Sequence, residues 1–171
     1  MKTLYLLCGM PFSGKTTLGK SMAKYINSFY ISLDEINEAR GLFGGDGISV
    51  REWSKTHRLA MQQLQSLMQS RQDIIVDDTN CFRWLRDRFR NFVKPHDYQT
   101  IVVYLDIPLA TIQERMAQNR KTQVRHSVKQ DIVEGMAQTF ELPQEDENVV
   151  KYDANQPIDE WIAEHFVGSL D

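Results

Sequence analysis

The octapeptide GMPFSGKT, residues 9–16, sets two glycines, a lysine and a hydroxyl residue at the spacing G-x-x-x-x-G-K-[ST]. It follows the apolar run TLYLLC (3–8) and precedes a helical pattern from about Lys15 to Tyr25. Glycines at these positions let the backbone wrap closely, so that its N–H groups converge on phosphate oxygens. Gly9, Pro11, Ser13 and Gly14 form the expected loop. Lys15 reaches the β and γ phosphates as a point charge, and Thr16 offers its hydroxyl to Mg²⁺. Thr17 continues into a helix whose positive end faces the same anion. The stretch reads as a site for a nucleoside triphosphate. No N-K-x-D guanine-reading sequence follows a late strand, which favours ATP.

The acidic residues suggest where the phosphate goes. In FYISLDE, Asp34 stands at the carboxyl end of a strand, where a carboxylate can take the proton of an attacking hydroxyl or cap the next helix. In DIIVDDTN an apolar strand ends in two carboxylates that point to opposite sides in extended chain. Asp78, with Thr79 and Asn80 beside it, is expected to face the metal or the acceptor. Arg115, Arg120, Lys121 and Arg125 gather at a helix end and the loop after it. A lid over about 115–127, with Arg115, Arg120 and Arg125 closing on the phosphates, would keep water from the transferred group. The other reading is a solvated basic helix end, favoured by the dipole.

Positioning these residues requires strands alternating with helices. The pattern gives strands at 3–8, 29–33, 73–78, 100–106 and 148–153. Helices are expected at 15–25, shortly after Asp34, and at 50–71, 82–93, after Pro108, at 128–139 and after Pro157. Capping boxes are expected at Ser49/Glu52 and Ser127/Gln130. Near-continuous apolar strands imply a doubly wound α/β domain with a parallel sheet of about five strands and helices on both faces. Ligands then bind beyond the carboxyl ends of the strands. With 171 residues the chain suits a single domain over 1–171. A net charge of −3 argues against a broad nucleic-acid footprint. Two cysteines, Cys8 and Cys81, give no disulfide framework, and the apolar N-terminus reads as a first strand rather than a leader. Together these point to the cytoplasm.

Together, CGMPFSGKTT, FYISLDE, VDDTN and YLDIPLATIQERMAQNR resemble the small P-loop kinases grouped around the kinase domain of phage polynucleotide kinase, with zeta toxins and chloramphenicol phosphotransferase as looser relatives. The resemblance spans roughly residues 1–145. It implies a P-loop NTPase fold with strand order 2-3-1-4-5, Asp34 as general base, and Arg115 and Arg120 in the lid. In polynucleotide kinase an arginine three residues after the base holds the substrate. Here that position is Asn37, and Arg40, one helical turn on, can take its place.

The helical stretch CFRWLRDRFRNFVK pairs an apolar stripe with a basic one of Arg83, Arg86, Arg90 and Lys94. It reads as a solvated face or as a groove for a phosphate-bearing acceptor with Trp84 stacking. Arg83 and Arg86, nearest the Asp-Thr-Asn turn, are the acceptor candidates, together with Asp78, Asn80 and Arg40. The insert GLFGGDG (41–47) reads as a closing loop or a slack connection, with Phe43 and Trp53 as an apolar wall. His57 is expected to pack. The expected activity is ATP- and Mg²⁺-dependent transfer of the γ-phosphate to a hydroxyl of a small molecule or a nucleic-acid 5′ end. The alternatives are a nucleotide-dependent switch ATPase and a nucleic-acid-binding module.

Overall fold

A computed structural model describes residues 1–45 and 47–167; Asp46, within the glycine-rich insert, and the last four residues lie outside the described set. Five strands, β1 (Lys2–Cys8), β2 (Phe29–Ser32), β3 (Ile74–Asp77), β4 (Tyr98–Leu105) and β5 (Val149–Tyr152), form one sheet in the order β2-β3-β1-β4-β5. All four pairings are parallel. The expected sheet and strand order hold.

Alternation along β1 explains the two layers. Leu4 and Leu6 face one side and pack with Leu33 and Ile36 of α2 (Leu33–Ala39), Ala60 and Leu64 of α3 (Val50–Met68), and Phe89 and Val93 of α4 (Arg83–Val93). Tyr5 and Leu7 face the other. There they pack with Leu18 and Met22 of α1 (Lys15–Tyr25), Ile112 and Met116 of α5 (Leu109–Thr122), Val133 of α6 (Gln130–Thr139) and Trp161 of α7 (Ile158–Ile162). Because side chains alternate with period two, one buried central strand supplies both cores.

The helix starts follow local chemistry, with two departures. The Ser49 side chain accepts from Glu52 N–H, but the Glu52 carboxylate does not reach back; it is taken by Arg40 and Lys55. At the expected Ser127/Gln130 box there is no side-chain cap. Lys129 stays extended and holds the N-cap position of α6, leaving Ser127 too far upstream. A capping box forms instead between Gln144 and Glu147, before β5. Among the described residues, no helix is long and apolar enough to cross a membrane.

Candidate active site

The loop between β1 and α1 has the backbone that its glycines require. Gly14 is left-handed at φ 99°, and a Cβ on Gly9 would stand 2.9 Å from Ser13 Oγ and 3.2 Å from Leu105 Cβ. Gly9 N–H donates to Thr79 O at 3.0 Å, which ties the loop to the carboxyl end of β3. Lys15 Nζ donates to Met10 O at 2.8 Å. Burial pushes its ammonium below the usual lysine range, opposed by Asp77 and Asp78. Ser13 Oγ is buried without a partner, and α1 begins with no side-chain cap, so donors are left for an anion. Pro11 lies in the loop turn, and Thr17 is exposed on the first turn of α1.

Asp77, rather than Asp78, meets Thr16. Thr16 Oγ1 donates to Asp77 Oδ2 at 2.8 Å, and the Tyr30 hydroxyl donates to the same oxygen at 2.5 Å. Register decides the choice: Ser32 of β2 pairs with Asp77, which leaves Tyr30 of β2 on the side of α1. A Cβ on Gly19 of α1 would lie 3.0 Å from the Tyr30 ring, so Gly19 admits that ring. A hydroxyl and a carboxylate side by side form a hard oxygen donor pair that suits Mg²⁺.

Asp78 turns to the other layer, where its Oδ2 is 3.6 Å from His57 Nε2 of α3. Burial pushes the Asp78 carboxyl up, partly offset by His57. Asp34, in the first turn of α2, is open to solvent at the cleft. Partial withdrawal from bulk water raises its carboxyl, and Asp78 and Asp77 raise it further, against Lys15 and Arg125. The base candidate, the phosphate-loop lysine and a lid arginine thus act on one another across the cleft.

The structure divides the remaining arginines. Arg115 donates to Phe12 O at 3.0 Å and Ser13 O at 2.9 Å, so it braces the loop from α5. The Arg125 guanidinium lies 4.1 Å from the centroid of the Phe12 ring. Its backbone is clamped by the buried Asn119 amide, which accepts from Arg125 N–H and donates to Arg125 O. Arg120 is exposed on α5 and, among the described residues, makes no hydrogen bond or ion pair.

Three expected acceptor contacts are corrected. Arg86 has no exposed surface: it pairs with Glu147 at 2.7 Å and donates to Asn80 O and Glu141 O. Its place beside Leu85 and Phe89 put it on the buried face of α4. Asn80, also fully buried, donates to Leu7 O at 2.7 Å and shapes the turn at φ 46°. Arg40 is engaged by Glu52 and Thr56 of α3. Arg83 remains at the surface, paired with Asp146 and Asp87.

Sequence reasoning passed over Tyr30, Glu147 and Thr56, whose partners are distant in the chain, and read His57 as packing. An apolar groove of about 280 Å³ adjoins the phosphate loop, lined by Met10, Tyr104, Ile107, Ile112 and Phe140. A roomier concavity of about 450 Å³ lies at the amino ends of the strands, beside Lys2, Arg71 and Asp97, away from all of these groups.

Comparison with known proteins bears on the fold and the family. The chain is 23% identical over 147 residues to an L-seryl-tRNA(Sec) kinase of Methanococcus maripaludis, covering 82% of this chain and 53% of that protein. The chain therefore spans about half the length of that curated relative. A sugar kinase from Janibacter sp. superposes with TM-score 0.75 at 18% identity, over 98% of this chain and 94% of that one. The Mycobacterium tuberculosis APS kinase CysC, in complex with AMPPNP and APS, does so with TM-score 0.69 at 17% identity, over 95% and 94%. These likenesses show the fold. The AAA_33 family, an AAA domain, matches residues 4–143, and the chain belongs to that family.

Proposed function

We propose that the protein is a kinase that transfers the γ-phosphate of ATP to a hydroxyl. The observation that carries this is the Asp34 carboxylate, exposed just after β2 and within electrostatic reach of Lys15 and Arg125. The loop amides and Lys15 hold the triphosphate, and Phe12 holds Arg125 over the loop. Asp34 takes the proton as the acceptor oxygen bonds to γ-phosphorus and the bond to the β-phosphate oxygen breaks. Thr16 and Asp77 would hold Mg²⁺, which supplies charge neutralisation at the phosphates when bound. Arg115 keeps the loop in shape. The narrower kinship to polynucleotide kinase rests on Asp34 and the Asp-Thr-Asn turn. The seryl-tRNA kinase and sugar kinase among the relatives fit a hydroxyl acceptor. The test is transfer of γ-labelled phosphate to pools of sugars, nucleosides, aminoglycosides and 5′-hydroxyl oligonucleotides, with Asp34→Asn as control. Asp34-dependent label on one pool supports the reading. Hydrolysis with no labelled acceptor in any pool would favour the switch reading instead.

Two further results follow from this reading. A base whose carboxyl is raised works only above its elevated pKa, so the rate falls as pH drops through a range above that of ordinary carboxylates. Asp78→Asn removes the neighbouring charge that raises Asp34 most, and should move this acid limb of kcat/KM to lower pH. The second concerns the Phe12 ring, whose contact with a guanidinium is worth about 0.5–1 kcal/mol. Phe12→Leu should raise KM for ATP about two- to fivefold. Adding Arg125→Ala to it should cost less than Arg125→Ala does alone, measured as a double-mutant cycle.

A further inference from the structure

Helix α5 grips the phosphate loop at two points, and both converge on Phe12. Arg115 and Asn119 are four residues apart and therefore share a face of the helix. Ile112 and Met116, buried in the same cluster as Phe12, hold that helix against the sheet. Arg115 Nη1 donates to Phe12 O at 3.0 Å and to Ser13 O at 2.9 Å. Asn119, 7% exposed, reaches the loop through Arg125. Its Nδ2 donates to Arg125 O at 3.0 Å, and its Oδ1 accepts from Arg125 N–H at 3.1 Å. The Arg125 guanidinium in turn lies 4.1 Å from the Phe12 ring centroid. Phe12 is left-handed at φ 63°, a conformation that costs a residue with a Cβ and that surrounding contacts must hold.

The two bonds of Asn119 fix the orientation of its amide. One donates and one accepts, both to a single residue, and only a side-chain amide of this length offers that pair. The chain leaves α5 through Gln123, left-handed at φ 51°, whose N–H donates to Asn119 O at 2.7 Å. It then folds back, so that Arg125 returns to the same asparagine. The side chains of residues 123–127 are exposed, so burial contributes little to placing this loop. Arg125 lies within electrostatic reach of both Lys15 and Asp34. Two cations thus converge on the phosphate end and repel each other, and the Asn119 bonds tether one of them there.

Accepting the reading of Arg125 as a lid group on the γ-phosphate, we propose that Asn119 is the positioning residue that holds Arg125 over the phosphate loop before ATP arrives. It thereby sets how strongly the site prefers a triphosphate to a diphosphate. The basis is preorganisation: an arginine whose backbone is already pinned loses less freedom when the γ-phosphate meets it. ADP lacks that phosphate and is held by Lys15 and the loop amides, so its binding makes little demand on Arg125. Arg115, on the same face of α5, keeps the Phe12 carbonyl in place and so keeps the ring under the guanidinium.

Calorimetric titration with AMPPNP and with ADP, each in Mg²⁺, tests this without requiring transfer, and the readout is the ratio of the two affinities. Arg125→Ala should lower the preference for AMPPNP about tenfold or more. Asn119→Ala, which leaves a strong helix former in α5, should lower it about three- to tenfold, the scale of ordering one long side chain. ADP affinity should stay within about twofold. Adding Asn119→Ala to Arg125→Ala should leave the ratio where Arg125→Ala put it, because no guanidinium remains to be placed. If thermal melting shows that Asn119→Ala does not fold, Asn119→Leu, apolar and of similar size, carries the same expectations. Equal losses for AMPPNP and ADP would make Asn119 a structural cap of α5 and overturn the proposal. An unchanged ratio in either single variant, or an Asn119 effect that persists in full without Arg125, would overturn it too. Labelled transfer is read separately. Transfer with a ratio insensitive to Asn119 keeps the kinase reading and defeats this one, and an Asn119-dependent ratio without transfer to any pool does the reverse.

Discussion

Asp34→Asn is expected to slow phosphoryl transfer about 10²- to 10⁴-fold, the usual worth of a positioned general base. ADP affinity should stay within about twofold, because Asp34 sits on α2 and the loop that grips phosphate is built from β1 and α1. The substitution keeps size but turns one carboxylate oxygen into an amide N–H₂ donor, removing the charge and the proton acceptor. A loss confined to kcat places Asp34 in the transition state. A loss in ADP binding, read by calorimetry, would make it a charge that shapes the nucleotide site. Little loss in either would leave Asp34 as a first-turn charge on α2, whose N-cap is Ser32, and send the search for the base to Asp78, the neighbouring carboxylate with a raised pKa.

Arg86→Ala should destabilise the protein by about 3–5 kcal/mol, because it leaves the fully buried Glu147 carboxylate unpaired. For a chain of this size that is a fall in Tm of roughly 6–20 °C, read by calorimetric melting. Arg83→Ala, on the same helix but exposed, should leave the Tm nearly unchanged, because a solvent-screened ion pair adds little. The double replacement Arg86→Met with Glu147→Leu should recover part of the loss, since an apolar pair can stand in for a buried ion pair. Recovery stays incomplete because Asn80 O and Glu141 O lose their donor. The pair also sets an acid dependence. Burial alone would push the Glu147 carboxyl up, but the Arg86 guanidinium holds it below its ordinary value. Its contribution is therefore full above the normal carboxylate range and lost as pH falls through the lowered one.

These two residues show what was legible beforehand. The phosphate loop could be read because a backbone bent around an anion demands particular residue types at fixed spacing. Asp34 could be read because it follows an apolar strand directly. The sheet was legible from alternation, and its order from the resemblance. Local pattern carried no more than that. Period two says that Asp77 and Asp78 point apart, but which of them meets Thr16 depends on the β2–β3 register and on Tyr30. A basic stripe suggested that Arg86 faces an acceptor, whereas a glutamate in a distant loop had claimed it. His57 read as packing because its neighbours on α3 are apolar; its link to Asp78 is visible only across the layers.

The Arg86–Glu147 pair also constrains the order in which the chain assembles. The partners are 61 residues apart, and Arg86 together with Asn80 fastens the turn at the end of β3 to β1 and to the lead-in of β5. As the chain leaves the ribosome, the phosphate loop and its supporting strands emerge well before Glu147. Until Glu147 arrives, closing this turn would bury a guanidinium with no counter-charge. The nucleotide half can thus take shape early, while the turn bearing Asp78 locks only after the residues that lead into β5 have been made. Nascent chains halted with Glu147 still inside the ribosomal exit tunnel and with it fully emerged should differ sharply in protease resistance at residues 78–82.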